Sequence, residues 1–232
     1  MTSTVWLITG SSRGLGRRIV EAALRHGDRV VATARRPETL DDLTTIHPDT
    51  LRTIAHDVRD RAQADAAVAL ALSAFGRLDV VVNNAGYANV EPIETATEES
   101  FRDQVETVFF GTVHTTRAAL PVLRRQGSGH IVNVSSVGAR LATPGLAAYQ
   151  SAKWATSGFT EVLASEVGPP VRLLLGSDAY AYATAQARAR LAADEALVET
   201  TRSTDRDDAT EQDRNPLGLV PDDARAHDAP RQ

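Results

Sequence analysis

"TGSSRGLG", Thr9–Gly16, follows the apolar run "VWLI", Val5–Ile8, and leads into a helical pattern over residues 14–26. Three of the eight residues are glycine. A strand that ends in such a loop and opens a helix puts free backbone N–H groups and the positive end of a helix dipole at one point, which suits a phosphate. Gly10 permits a tight turn off the strand. Gly14 and Gly16 let a pyrophosphate and the sheet come close. A plain glycine turn has the same composition, so the position at the first strand–helix junction is what gives the spacing meaning.

Working outward, short apolar runs alternate with helical patterns. Residues 5–9, 29–34, 51–57, 78–85 and 130–136 read as strands, and 14–26, 60–75, 98–125 and 149–166 as helices. Strands apolar on both faces and separated by helices imply a parallel sheet covered on both sides. The expected fold is α/β, a doubly wound parallel sheet of about six strands, with ligands at the carboxyl ends of the strands. "VRLLLG", 171–176, is the sixth strand. Residues 181–200 are alanine-rich and read as a helix. From about 201 the chain is rich in Asp, Arg, Thr and Pro and has no aromatic residue. Such a segment buries too little to offset its ordering entropy. The expected division is a dinucleotide-binding and catalytic domain over 1–200 and a disordered polar tail over 201–232.

The chain has 232 residues, no cysteine and a net charge of −5. Residues 199–232 carry nine acids against five arginines, so the remainder is close to neutral. That gives no basic footprint for nucleic acid. Six scattered histidines show no metal-binding spacing, so no metal site is expected. The N-terminus has no basic region or long apolar segment, and no run approaches the ~20 apolar residues of a membrane span. A cytoplasmic protein without a membrane partner is expected.

Two further motifs share the glycine loop's chain order. "NNAG", Asn83–Gly86, ends the fourth strand, and "YQSAK", Tyr149–Lys153, begins a helix, with Ser136 thirteen residues before Tyr149. Together with the GxxxGxG spacing they resemble the short-chain dehydrogenase/reductase family over residues 4–166, a Rossmann-like fold. The resemblance implies a nicotinamide cofactor held by Gly10, Ser12, Arg13, Gly14, Leu15, Gly16, Arg35, Asp57, Val58, Asn84, Ala85, Gly86, Tyr149 and Lys153. It implies Ser136 as substrate-holding, Tyr149 as proton-moving and Lys153 as ribose-binding. Asp57 and Val58 resemble the adenine contacts, and Asn84 the residue whose neighbourhood packs on the adenosine ribose.

The residue chemistry agrees. Tyr149 and Lys153, four apart, share a helix face. A free tyrosine titrates near ~10, and a nearby ammonium favours the phenolate, which brings proton transfer into reach at neutral pH. Ser135 and Ser136 alternate across the strand, so one of them faces the substrate. The family spacing selects Ser136.

An NAD site usually ends its second strand with an acid on the ribose. Here that position is Ala34, followed by Arg35 and Arg36, with Arg13 in the loop. Guanidinium groups suit a 2′-phosphate, so NADP is expected over NAD. The function expected is an NADP-dependent oxidoreductase interconverting a small-molecule carbonyl and an alcohol. The alternative is a catalytically impaired relative that still binds NADP(H). A homo-oligomer is compatible with either.

Two positions depart from the family pattern. Val108 stands three residues before Gly111, where the family has an asparagine that holds a water. After the tyrosine helix, "SEVGPP", 165–170, runs directly into "VRLLLG", and the Pro144–Gly145 pair lies before Tyr149 rather than after it. An internal deletion near Gly168–Pro170 is expected to remove nicotinamide-side contacts and most of a substrate lid. A connection that short also predicts that 171–175 pair in parallel with 130–135, because an empty slot leaves unpaired backbone groups.

Overall fold

The computed structural model describes residues 3–168 and 171–176, the last six by backbone and pairing alone. The helix expected over 181–200 and the tail expected over 201–232 lie outside these residues. Six strands form one parallel sheet: β1 (Val5–Ile8), β2 (Arg29–Ala34), β3 (Leu51–Ala55), β4 (Val80–Asn83), β5 (Gly129–Val134) and β6 (Val171–Gly176). Their order is β3-β2-β1-β4-β5-β6. The chain winds outward from β1 in one direction, crosses back to β4, and winds outward in the other. The crevice at that reversal is where such sheets bind ligands.

Every residue of β1 and β4 is buried, as both faces of a covered parallel sheet require. The helices are α1 (Gly14–Arg25), α2 (Asp41–Ile46), α3 (Arg61–Phe75), α4 (Glu98–Val105), α5 (Gly111–Gln126) and α6 (Ala147–Val167). One core joins Val5, Leu7, Val31 and Val81 of the strands to Val68 and Ala71 of α3, Leu123 of α5 and Leu163 of α6. Helix boundaries follow local chemistry. Asp60 caps α3, accepting from the backbone N of Ala62 and Gln63, and Gly76 ends it at φ +78°. Thr97 caps α4 through the N–H of Ser100.

The sixth strand sits where the short connection predicts. Gly129 to Val134 register against Val171 to Gly176 in parallel. Only residues 168–170 separate α6 from β6.

Several boundaries differ from expectation. The pattern over 98–125 is not one regular helix: Glu106–Phe110 forms a π-helical turn between α4 and α5. Val108 in that turn is 1% exposed. Strand β3 ends at Ala55, not Asp57. The N–H of His56 still bonds Ala34 O, but that of Asp57 turns away to Gln63 Oε1. Helix α2, and the 3-10 turn Pro37–Leu40 before it, were not anticipated. Their apolar signal is short, carried by Leu40 and Leu43, both buried.

Candidate active site

The glycine loop leaves β1 through Thr9, whose N–H bonds Val82 O on β4. Gly10 (φ +67°) and Gly14 (φ +59°) both occupy the left-handed region. A Cβ on Gly10 would come within 2.8 Å of Ala85 Cα. A Cβ on Gly16 would collide with Gly10 O and with Asn84 Nδ2. Gly14 has open space beside it. The three glycines therefore serve different ends: Gly10 and Gly16 allow close packing of loop, helix and β4, and Gly14 leaves the mouth of α1 bare. Arg13 precedes that helix in an extended conformation and is exposed. Ser12 and Leu15 are half-buried beside it.

Asn84 braces this loop. Its Nδ2 donates to Thr9 O at 2.9 Å and Gly10 O at 3.2 Å. Thr9 Oγ1 in turn accepts from the N–H of Asn84 and of Ala85. Ser11 adds a third anchor, with its hydroxyl on Ile8 O and its N–H on Thr33 O. Thr9 and Ser11 were missed at the sequence level. Both are fully buried polar residues in a loop that also had to satisfy its own backbone.

Arg35 and Arg36 follow β2 and are exposed. Asp57 lies two residues beyond β3, and the Arg59 guanidinium grips its carboxylate and holds it below its ordinary range, with a smaller contribution from the charge of Arg35 at the end of neighbouring β2. Val58 points elsewhere: it is buried, and a Cβ on Gly111 of α5 would come within 2.6 Å of it. Gly86 is exposed at the end of the NNAG stretch.

The remaining three residues come from the end of β5 and from the first turns of α6. Ser136 is the first residue past Ser135, and its Oγ accepts from the N–H of Gly138. Ser135 instead turns toward Ser157 on α6, with the two hydroxyls 3.4 Å apart. Successive residues of an extended chain face opposite ways. Lys153 is 5% exposed, and its Nζ donates to Val134 O at 2.6 Å. The same Nζ stands 5.8 Å from the centre of the Tyr149 ring. Burial lowers the lysine pKa to about 8. Its ammonium is thus retained at neutral pH but lies near the point of release. The turn after Ser136 packs on the same helix, with Trp154 Nε1 bonding Gly138 O.

Among the described residues no helix is long and apolar enough to cross a membrane, and no group of three His, Cys, Asp or Glu could hold a metal ion.

Comparison with known proteins reaches the same region of the chain. Oxidoreductase BOA17 of Botryotinia fuckeliana is 52% identical over 164 residues, covering 70% of this chain and 60% of its own length. The chain thus spans about 60% of that curated relative. A short chain dehydrogenase/reductase from Burkholderia phymatum, solved in complex with NAD, superposes with a TM-score of 0.71 at 26% identity, covering 75% of this chain and 64% of its own. A metagenomic short-chain oxidoreductase, solved with NADP, gives a TM-score of 0.71 at 29% identity, covering 75% and 81%. The short chain dehydrogenase family model matches residues 4–174, from just ahead of β1 into β6, and the chain belongs to that family of oxidoreductases.

Proposed function

We propose that this chain binds NADP(H) and interconverts a carbonyl and an alcohol. One observation carries the reading: Lys153, buried and bonded to the carbonyl of Val134 two residues before Ser136, stands with its ammonium over the Tyr149 ring. The dinucleotide fits the residues present. Gly14 is bare at the start of α1, Gly10 and Gly16 keep the loop tight, and Arg13 and Arg35 are exposed at its rim. When bound there, a nicotinamide would supply the hydride-transfer chemistry. Tyr149 gives its phenolic proton to the carbonyl oxygen in reduction and takes it back in oxidation. Lys153 holds the phenolate form within reach and binds the ribose. Ser136 donates a hydrogen bond to the substrate oxygen and keeps its proton. Two relatives carry different cofactors, one NAD and one NADP, so the preference for NADP rests on Ala34 and the two arginines.

A second reading has its own support. Because β6 follows α6 after three residues and occupies the slot beside β5, the connection between them is too short to form a cover over the substrate. A site without a lid admits water and loses orientation. On this reading the chain binds NADP(H) with weak or no turnover.

NADPH oxidation across a panel of aldehydes and ketones, run beside calorimetric NADPH binding, separates the two. Turnover that disappears in Tyr149→Phe while NADPH affinity stays nearly unchanged supports the enzyme. Binding without turnover supports the second reading. Turnover retained in Tyr149→Phe moves the proton donor elsewhere.

A further inference from the structure

Asp57 stands at the carboxyl end of the sheet, where the proposed dinucleotide places its adenine, yet its carboxylate is already occupied. Arg59 donates to Asp57 Oδ1 through both its backbone N–H and its Nε, each at 3.0 Å. It donates to Oδ2 through Nη2 at 2.7 Å and shares Nε with it at 3.2 Å. A carboxylate offers about four lone-pair sites, and Arg59 sets three donor hydrogens on them, so an incoming N–H donor must compete with its guanidinium for both oxygens. The guanidinium already reaches a second carboxylate, on which it can stay when it leaves the first. Asp103 of α4 lies with Oδ1 3.3 Å from Arg59 Nη1. All three side chains are partly exposed, Arg59 at 40%, Asp57 at 28% and Asp103 at 47%, so movement between the two carboxylates breaks no core packing.

We propose that Arg59 is a latch on the nucleobase site: it holds the Asp57 carboxylate in the free chain and passes to Asp103 when a purine 6-amino group takes its place. The inference rests on the dinucleotide reading and adds a specificity-determining residue to it. It also inverts the ordinary expectation. Removing a cation from beside an anionic ligand weakens binding; removing a latch strengthens it. The gain is bounded by what an exposed ion pair is worth, which corresponds to about two- to five-fold in affinity. Asp103 matters because it receives the displaced guanidinium. Without it Arg59 has only Asp57, and the base competes less well.

The test uses the full chain and 2′,5′-ADP, the adenine half of the cofactor, with the purine counterpart lacking the 6-amino group as control. Calorimetry on Arg59→Gln is expected to show 2′,5′-ADP bound about two- to five-fold more tightly than by the wild type, with the control ligand not tightened. Asp103→Asn is expected to weaken 2′,5′-ADP. Equal or weaker binding by Arg59→Gln, or equal tightening of both ligands, overturns the latch while leaving the dinucleotide reading in place. Failure of the wild type and both variants to bind 2′,5′-ADP or NADPH overturns both together.

Discussion

Lys153 Nζ bonds the carbonyl oxygen of Val134 at 2.6 Å, which ties the helix bearing Tyr149 to the strand that ends just before Ser135 and Ser136. The bond fixes the lysine by its charged end rather than its stem, so the ammonium is held inside the protein where desolvation works against it. The arrangement trades stability for a charge held in one place.

That compromise has a signature in pH. The folded lysine has a pKa of about 8 against an ordinary 10.5. Between those values the unfolded chain binds a proton that the folded chain has lost, so stability from this group rises with pH through the window and is lost as pH falls to 8. The full swing is about 3 kcal/mol. Denaturant unfolding from pH 7.5 to 10.5 is expected to show a steeper rise for the wild type than for Lys153→Met. Parallel curves would place the lysine in contact with solvent.

His56 gives the corresponding effect in acid. It is 3% exposed, its Nδ1 lies 3.0 Å from Thr33 Oγ1, and its Nε2 is buried with no hydrogen-bond partner among the described residues. Burial lowers its pKa from 6.5 to about 4. The unfolded chain therefore takes up a proton first as pH falls. Stability present above 6.5 is lost progressively down to about pH 4, by about 3 kcal/mol. His56→Gln is expected to flatten the decline in unfolding free energy between pH 6.5 and 4. An unchanged slope in the variant counts against this account.

The glycine loop separates two kinds of substitution. Gly16→Ala drives a methyl into Gly10 O and Asn84, both held by other bonds, so the loop must shift. A stability loss of about 1–3 kcal/mol and loss of NADPH binding are expected. Gly14→Ala meets open space and suffers only from its φ of +59°, at about 1 kcal/mol, with the fold intact. Thermal unfolding of the two variants, with NADPH titrations, checks the order; equal damage from both would contradict it.

Cofactor preference is expected to follow Arg35. Replacing it with aspartate puts an acid at the end of β2, next to Ala34. Arg35→Asp is expected to weaken NADPH binding by at least about ten-fold, the effect of losing a charge-assisted contact, while NADH is affected much less. Calorimetry showing NADH bound as tightly as NADPH by the wild type would end the argument for NADP.

The strands and their parallel direction were legible because each is a short run apolar on both faces, with glycines and helix starts between them. The place of β6 was legible for a different reason: residues 168–170 are too few to reach past the slot beside β5. What escaped the sequence was which side chains bond which groups. Nothing in "NNAG" says that the Asn84 amide reaches back to Thr9 and Gly10, or in "DVRD" that Arg59 folds onto Asp57. The π turn at Glu106–Phe110 escaped too, because one extra residue in a helix leaves the apolar pattern on either side nearly unchanged.

The Asn84 brace has a consequence for how the protein is made. The whole glycine loop has left the ribosome long before residue 84 is synthesised, yet its shape depends on an amide from the end of β4. A nascent chain that stops short of Asn84 carries the loop's sequence without its rigid form. On the dinucleotide reading proposed above, NADPH affinity reports when β4 docks against β1, measurable on stalled chains of increasing length.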